Sequence, residues 1–396
     1  MQQCRVLVIN DFVQKGGAEE VYRQSVESLR AMPGVDVRCF DNSCLDPHAP
    51  ASPAWNSAAA KALEEAIKDF RPHRVMVHNY HSVLSASVLG TIARYKRKLG
   101  YSTYMTCHDY HVVYYNPLLQ YYTKDGTHTV PLEALNTLRT LRLRSSKKGL
   151  IHDALRKCYW HAMRALIKPE RVFDAVLCPS PFMQQALRRR GIVNTVMLPN
   201  PSAVDLPPTP LKVSTSPRLN LAFVGRVAPE KGLVQFIELA QAAGFAHIQR
   251  IEVYGDGPDR AVIEQRFASL VASGQLVFFG RLAQDDLFTQ LRASADALVL
   301  PSLCAENAPL AIIEAASLGL PALVHDVGSL STFGNEVGNK VMFRSDPSSL
   351  RAAMSQLVEH LSQTGREYDI SEYSSRHYAT RLASLMRIGD GSAMPA

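Results

Sequence analysis

Short apolar runs alternate with amphipathic stretches along most of this chain. Residues 5–10, 35–40, 74–78, 101–107, 172–178 and 195–198 have the length and apolar content of buried strands. Between them, 18–31, 58–70, 83–99, a long stretch from 152 to 167, and 181–190 carry helical spacing. Alternation of this kind predicts a parallel sheet covered by helices. Residues 199–217 break the rhythm with six prolines (199, 201, 207, 208, 210 and 217) and no helical period, which reads as a linker. The alternation then restarts. Strands are expected at 219–224, 251–254, 276–279, 297–300 and 322–325, and helices at 233–242, 260–272, 285–293, around Glu314, and 347–361. The expected organisation is an α/β domain over 1–198 with a basic helical insertion at about 130–170, a linker at 199–217, and a second α/β domain over 218–370. A helical tail follows at 371–396.

Composition is globular, with 46% hydrophobic and 20% charged residues in 396. No run approaches the roughly 18 apolar residues of a membrane-crossing helix. The seven cysteines are scattered, show no CxxC spacing, and suggest neither a disulfide framework nor a zinc ribbon. A reduced, cytoplasmic protein is expected. The net charge of +7 is local: residues 139–171 hold ten cations against Asp153 and Glu170.

The strongest chemical pattern is Pro301–Pro321, PSLCAENAPLAIIEAASLGLP, which holds Glu306 and Glu314. A strand-like run precedes it, and Pro309 suits the first turn of a helix. Glu306 is then expected in the loop at the helix mouth and Glu314 within the helix. Backbone N–H groups of Ala308, Leu310 and their neighbours would face an anion there. A second pattern, Phe223-Val-Gly-Arg-Val-Ala-Pro-Glu-Lys-Gly232, puts Arg226 and Lys231 at a strand's C-terminal end, where α/β sheets take ligands. Two cations there can hold a diphosphate and stabilise it as it leaves. The turn Val253-Tyr-Gly-Asp-Gly-Pro258 contains Gly255, whose missing side chain would allow a ligand close to the backbone. In the first half, Lys15-Gly16-Gly17 opens a helix and could present N–H groups to a phosphate or hydroxyl. Its spacing is not that of a dinucleotide fold. Thr106-Cys-His108-Asp109-Tyr-His111 follows a strand end. The spacings His78-x-x-His81 and His108-x-x-His111 suggest zinc, but they lie in loops with no further ligand set.

Together, Gly-Arg-x4-Lys-Gly, the Gly-x-Gly-Pro turn and Glu-x7-Glu resemble the retaining GT-B-fold glycosyltransferases of family 4, in a subgroup reading Glu-Asn-x-Pro. The ordered match covers about residues 220–325. The resemblance implies two Rossmann-like domains facing across a cleft, and a tail helix that returns to the first domain. It implies transfer of a sugar, with retention, from a nucleotide-diphosphate sugar. Arg226 and Lys231 would bind the diphosphate. Glu306 would contact donor-sugar hydroxyls, Glu314 the ribose, and Gly16, Gly17, Gly255, Asn307, Ala308, Pro309 and Leu310 would complete the donor site. His108 would lie at the sugar or the acceptor. With no Asp-x-Asp motif at a strand end, no metal and no cofactor are expected. Cys304 departs from the subgroup's frequent aromatic, and Val327-Gly328-Ser329 from its paired glycines.

The basic segment Arg139–Arg171 interleaves with Leu138, Leu141, Leu143, Leu150, Leu155, Tyr159, Trp160 and Leu166. Two readings stand: a peripheral face for an anionic membrane and a lipid-linked acceptor, or a solvated helix whose apolar residues lie in the core. A similar insertion occurs in surface-polysaccharide enzymes of the family, implying cell-surface polysaccharide or lipopolysaccharide synthesis at the inner face of the plasma membrane. A soluble or protein acceptor is the alternative. Nucleic acid is disfavoured, since no recognition motif accompanies the charge.

Overall fold

The computed structural model describes residues 3–13, 16–46, 55–124, 126–202, 209–210, 212–362 and 367–388. Lys15 and residues 203–208 of the proline-rich stretch lie outside these residues, as does the tail beyond 388. Two compact units are present. One comprises Met1–Gly126, Val130–Ala203 and Tyr373–Ala396; the other comprises Thr127–Thr129 and Val204–Glu372.

The first unit is built on a six-stranded parallel sheet. Its strands are β1 (Cys4–Ile9), β2 (Val35–Phe40), β3 (Arg74–Val77), β4 (Ser102–Thr106), β5 (Ala175–Cys178) and β6 (Thr195–Met197), in the order β2-β1-β3-β4-β5-β6. Val6, Leu7, Val8 and Ile9 are fully buried, as expected for a strand covered by helices on both faces. The order reverses between β1 and β3. A helix expected from residue 83 starts at Ser87 instead. The Asp11 carboxylate, just past β1, accepts the backbone N–H groups of Ser82, Val83 and Leu84 at 2.7, 3.0 and 2.9 Å. Those groups are thereby satisfied in a loop that runs beside the sheet's C-terminal edge. The tail helix, Ser375–Met386, packs in this unit. Tyr378, Leu382 and Met386 are buried with Val6, Val8 and Leu29, and the Tyr378 hydroxyl bonds Ser25 Oγ at 2.7 Å.

The second unit has β7 (Leu219–Val224), β8 (Ile248–Tyr254), β9 (Leu276–Gly280), β10 (Ala297–Leu300), β11 (Ala322–His325) and β12 (Lys340–Phe343), all parallel in the order β9-β8-β7-β10-β11-β12. This is the doubly wound order whose switch point, between β7 and β10, opens a crevice at the strands' C-terminal ends. β12 was not expected from the sequence. The helix expected over 260–272 is two, Arg260–Arg266 and Ala268–Ala272, because Phe267 leaves helical geometry (φ −112°, ψ 34°) while burying its ring.

Candidate active site

The switch point of the second unit gathers the motif residues of that half. Gly225 follows β7, and the loop after it carries Arg226 and a short turn, Pro229–Lys231. Gly232 has φ +70°, and a Cβ there would stand 2.1 Å from the Pro301 carbonyl oxygen, so the loops after β7 and β10 touch through backbone. The Leu303 N–H donates to the Glu230 carbonyl at 2.9 Å across that seam. The close approach brings Lys231 to Glu306: Nζ lies 2.5 Å from Oε1, and Ser302 Oγ donates to the same oxygen at 2.7 Å. Burial lowers the Lys231 pKa, but the Glu306 carboxylate outweighs it and holds the ammonium above its ordinary value. Ser329 Oγ donates to the Glu306 carbonyl. The cation and the hydroxyl together fix the orientation of this carboxylate at the switch point.

The helix carrying Glu314 runs from Ala311 to Ser317, with Leu310 as its cap. Pro309 therefore precedes the helix rather than filling its first turn; the Ile312 N–H closes a tight entry turn on the Pro309 carbonyl at 3.0 Å. Residues 306–311 and Glu314 are partly exposed while Ile312 and Ile313 are buried, so Glu306, Asn307, Ala308, Pro309, Leu310 and Glu314 share one accessible edge. Arg226 is exposed and, among the described residues, forms no ion pair. Gly255 has a packing role. Its φ is +144°, and a Cβ would fall 1.9 Å from the Gly225 carbonyl oxygen, so packing between the loops after β7 and β8 requires glycine. Cys304 is 3% exposed, beneath the loop rather than at its edge. A Cβ added to Gly328 (φ +59°) would meet Ala305 Cα at 2.6 Å. The sequence marks Ser329 only as a departure from paired glycines and assigns Ser302 no role, yet both hydroxyls hold Glu306.

In the first unit the strand ends present histidines. His78, after β3, and His108, after β4, are joined Nδ1 to Nε2 at 2.8 Å, and His81 stacks on His111 with centroids 4.4 Å apart. The two His-x-x-His turns thus pair ring to ring. Among the described residues no cluster of three or more His, Cys, Asp or Glu is arranged to hold a metal. Burial pushes His108 down to about 4, and pushes His78 and His111 well below the usual histidine range. The helix Gly17–Arg30 begins at the expected glycine pair, and neither glycine is demanded by the fold. Gly16 is extended (φ −173°), and a Cβ added there would find a Glu19 oxygen at 3.7 Å as its nearest neighbour; at Gly17 nothing lies within 4 Å.

The buried neutral histidines give an acid limit. A histidine with a depressed folded pKa takes its proton first in the unfolded chain. Stability is then full above about 6.5 and falls as pH drops toward 4, by on the order of 3 kcal/mol for His108 alone. Thermal unfolding between pH 7 and 4.5 should show a melting temperature that declines steadily below pH 6.5. A flat profile would remove the buried, neutral pair.

Two parallel-sheet units, the second wound 3-2-1-4-5-6 with a cation–carboxylate pair at its switch point, define the GT-B fold. Residues 218–360, within the second unit, match the family model described as Glycosyl transferases group 1. Among solved structures, the fold resembles Anabaena HepE in complex with UDP and glucose (TM-score 0.62, 13% identity, 98% of this chain and 100% of that one). It also resembles the lipopolysaccharide outer core galactosyltransferase WaaB (0.60, 15%, covering 96% and 99%). Among curated proteins, 2-deoxystreptamine glucosyltransferase of Streptomyces kanamyceticus is 28% identical over 167 residues, 40% of this chain and 43% of that protein. The 2-deoxystreptamine N-acetyl-D-glucosaminyltransferase of Streptomyces fradiae is 32% identical over 142 residues, 35% and 33% respectively. The chain thus spans less than half the length of these curated relatives.

Proposed function

We propose that this protein is a retaining glycosyltransferase that moves a sugar from a nucleotide-diphosphate sugar to a growing, lipid-linked cell-surface glycan. The observation that carries the reading is the Lys231–Glu306–Ser302 cluster at the switch point of a glycosyl transferases group 1 domain. Arg226 and Lys231 supply positive charge for a departing diphosphate, and Glu306 and Glu314 supply acceptors for sugar and ribose hydroxyls. In the proposed step the acceptor oxygen bonds the anomeric carbon from the face the diphosphate leaves. The C–O bond to phosphate breaks, and the acceptor proton passes to a phosphate oxygen. His108 serves at the sugar or acceptor. No metal is required, because the cations take that role. A panel of nucleotide sugars tested for protection against thermal unfolding identifies the donor: a ligand at 100 times its Kd stabilises by about 2.7 kcal/mol. A panel in which none protects would overturn the reading.

The acceptor side rests on the helix Leu150–Ile167, whose polarity is inverted. It buries Asp153 and Trp160, while Leu150 (75%), Ile151 (79%), Leu155 (66%) and Leu166 (67%) face solvent. Asp153 is held inward by Lys157 at 2.5 Å and the Ser145 N–H at 2.7 Å. Exposed Leu138, Arg139, Arg142, Lys168 and Arg171 accompany the apolar stripe. An apolar helix face with cations around it suits an anionic bilayer surface, each Lys or Arg adding about 1 kcal/mol. No described helix is long and apolar enough to cross a membrane. This supports a peripheral seat at the cytoplasmic membrane face. Sedimentation with anionic vesicles should retain the protein at low salt, release it at high salt, and fall at least tenfold in Ile151→Glu/Leu155→Glu. Absence of binding at low salt would favour the second reading, the same chemistry on a small soluble acceptor. The names of the 2-deoxystreptamine relatives speak for that reading.

A further inference from the structure

The inner face of the helix Leu150–Ile167 closes one side of an open pocket of about 810 Å³ within the first unit. Its walls include Tyr115, Tyr122, Tyr159 and Trp160, and its cations are Lys147, Lys148 and Arg156. Among the described residues no carboxylate lines it. The nearest ones are engaged: Asp109 lies 3.3 Å from His81 and accepts the His111 N–H, and Asp153 holds Lys157 and Ser145. Arg156 is half-buried and, among the described residues, makes neither hydrogen bond nor ion pair. A half-buried guanidinium whose attraction to Asp153 acts only beyond ion-pair distance is costly, and a ligand anion in the pocket relieves it. Lys147 Nζ sits 5.0 Å from the centre of the Tyr122 ring, and Lys148 is exposed at the rim. Aromatic walls offer flat apolar surface to a sugar ring, whose C–H faces are apolar while its edges are polar.

We infer that this pocket seats a phosphate-bearing sugar, the head of the acceptor, with its phosphate on Arg156 and Lys148 and its ring against the aromatic wall. The inference rests on the acceptor reading above and names its chemistry. Leu155 borders both the pocket and the exposed apolar stripe, so a phosphate-linked sugar can enter while its lipid stays on the bilayer.

Calorimetric titration of the full chain tests it, with hexose 1-phosphates compared with the same free hexoses and with inorganic phosphate. A hexose 1-phosphate should bind at least tenfold more tightly than either comparison ligand. Arg156→Gln and the rim variant Lys148→Gln should each weaken it about tenfold, Arg156→Lys less so. Because Lys148 is exposed, its variant tests the pocket even if Arg156→Gln unfolds. Lys231→Ala should leave this binding intact, which separates the pocket from the donor site in the second unit. Equal binding of inorganic phosphate, meaning an adventitious ion only, would overturn the inference, as would binding indifferent to Lys148 and Arg156. Donor protection without sugar-phosphate binding would sink the pocket and spare the enzyme; the converse result would do the reverse.

Discussion

Lys231→Ala should cut sugar transfer by about 10²- to 10³-fold while leaving the fold intact, the loss expected when one preorganised group that stabilises developing charge is removed. Lys231 is positioned by Gly232, whose backbone lies against Pro301, so the ammonium points where the loops after β7 and β10 meet. In the free protein it neutralises Glu306 at 2.5 Å. Removing it takes away the positive charge that the proposed reaction directs at the diphosphate, and the cation that fixes Glu306 beside Ser302. Glu306→Ala should lose activity to a similar degree, because Lys231 then has no fixed partner. The double variant should be little worse than either single one, since residues acting as a unit are not additive. Initial rates of product formation, with melting temperatures recorded alongside, decide the matter. Full activity in Lys231→Ala would exclude this pair as the centre of the reaction.

Gly255→Ala should prevent the second unit from folding, while Gly17→Ala should keep the fold and lose activity. The contrast separates two uses of glycine that the sequence makes look alike. At Gly255 the backbone has φ +144°, a region essentially reserved for glycine, and the added carbon would lie 1.9 Å from the Gly225 carbonyl oxygen. The oxygen is backbone and the Cβ is fixed in place by its own backbone, so neither can swing aside. The cost of several kcal/mol is a large part of the roughly 5–15 kcal/mol that holds a domain together. At Gly17 an added carbon meets nothing within 4 Å, and alanine favours the helix that starts there. A ligand approaching Gly16 and Gly17 would meet the new methyl group. Denaturation curves and transfer assays of the two variants read the result: a folded Gly255→Ala would contradict the packing, and a fully active Gly17→Ala would remove the glycine pair from the site.

Local order made most elements legible. Buried parallel strands are apolar runs bounded by turns, continuous in Ala297–Leu300 and interrupted by Asn220 alone in Leu219–Val224, and the boundaries of both match the expected ones to the residue. β12 escaped because it is a short edge strand: it opens on Lys340 and leaves only three apolar residues, fewer than a run that signals a strand. The helix around Glu314 was anticipated, but its start was placed too early, since a proline that can open a helix can equally end the turn before one.

The sequence by itself determined the doubly wound alternation, the motif order in the second unit and the concentration of cations in 139–171, because these depend on residues near one another in the chain. Only the tertiary structure decided that Lys231 meets Glu306, 75 residues away, that His78 pairs with His108, and that Gly255 serves backbone packing. It also decided which face of the helix Leu150–Ile167 turns to solvent. Periodicity identifies a helix with two faces, but the burial of Asp153 and Trp160 follows from partners such as Ser145 and the His111 carbonyl, which only the folded chain brings there.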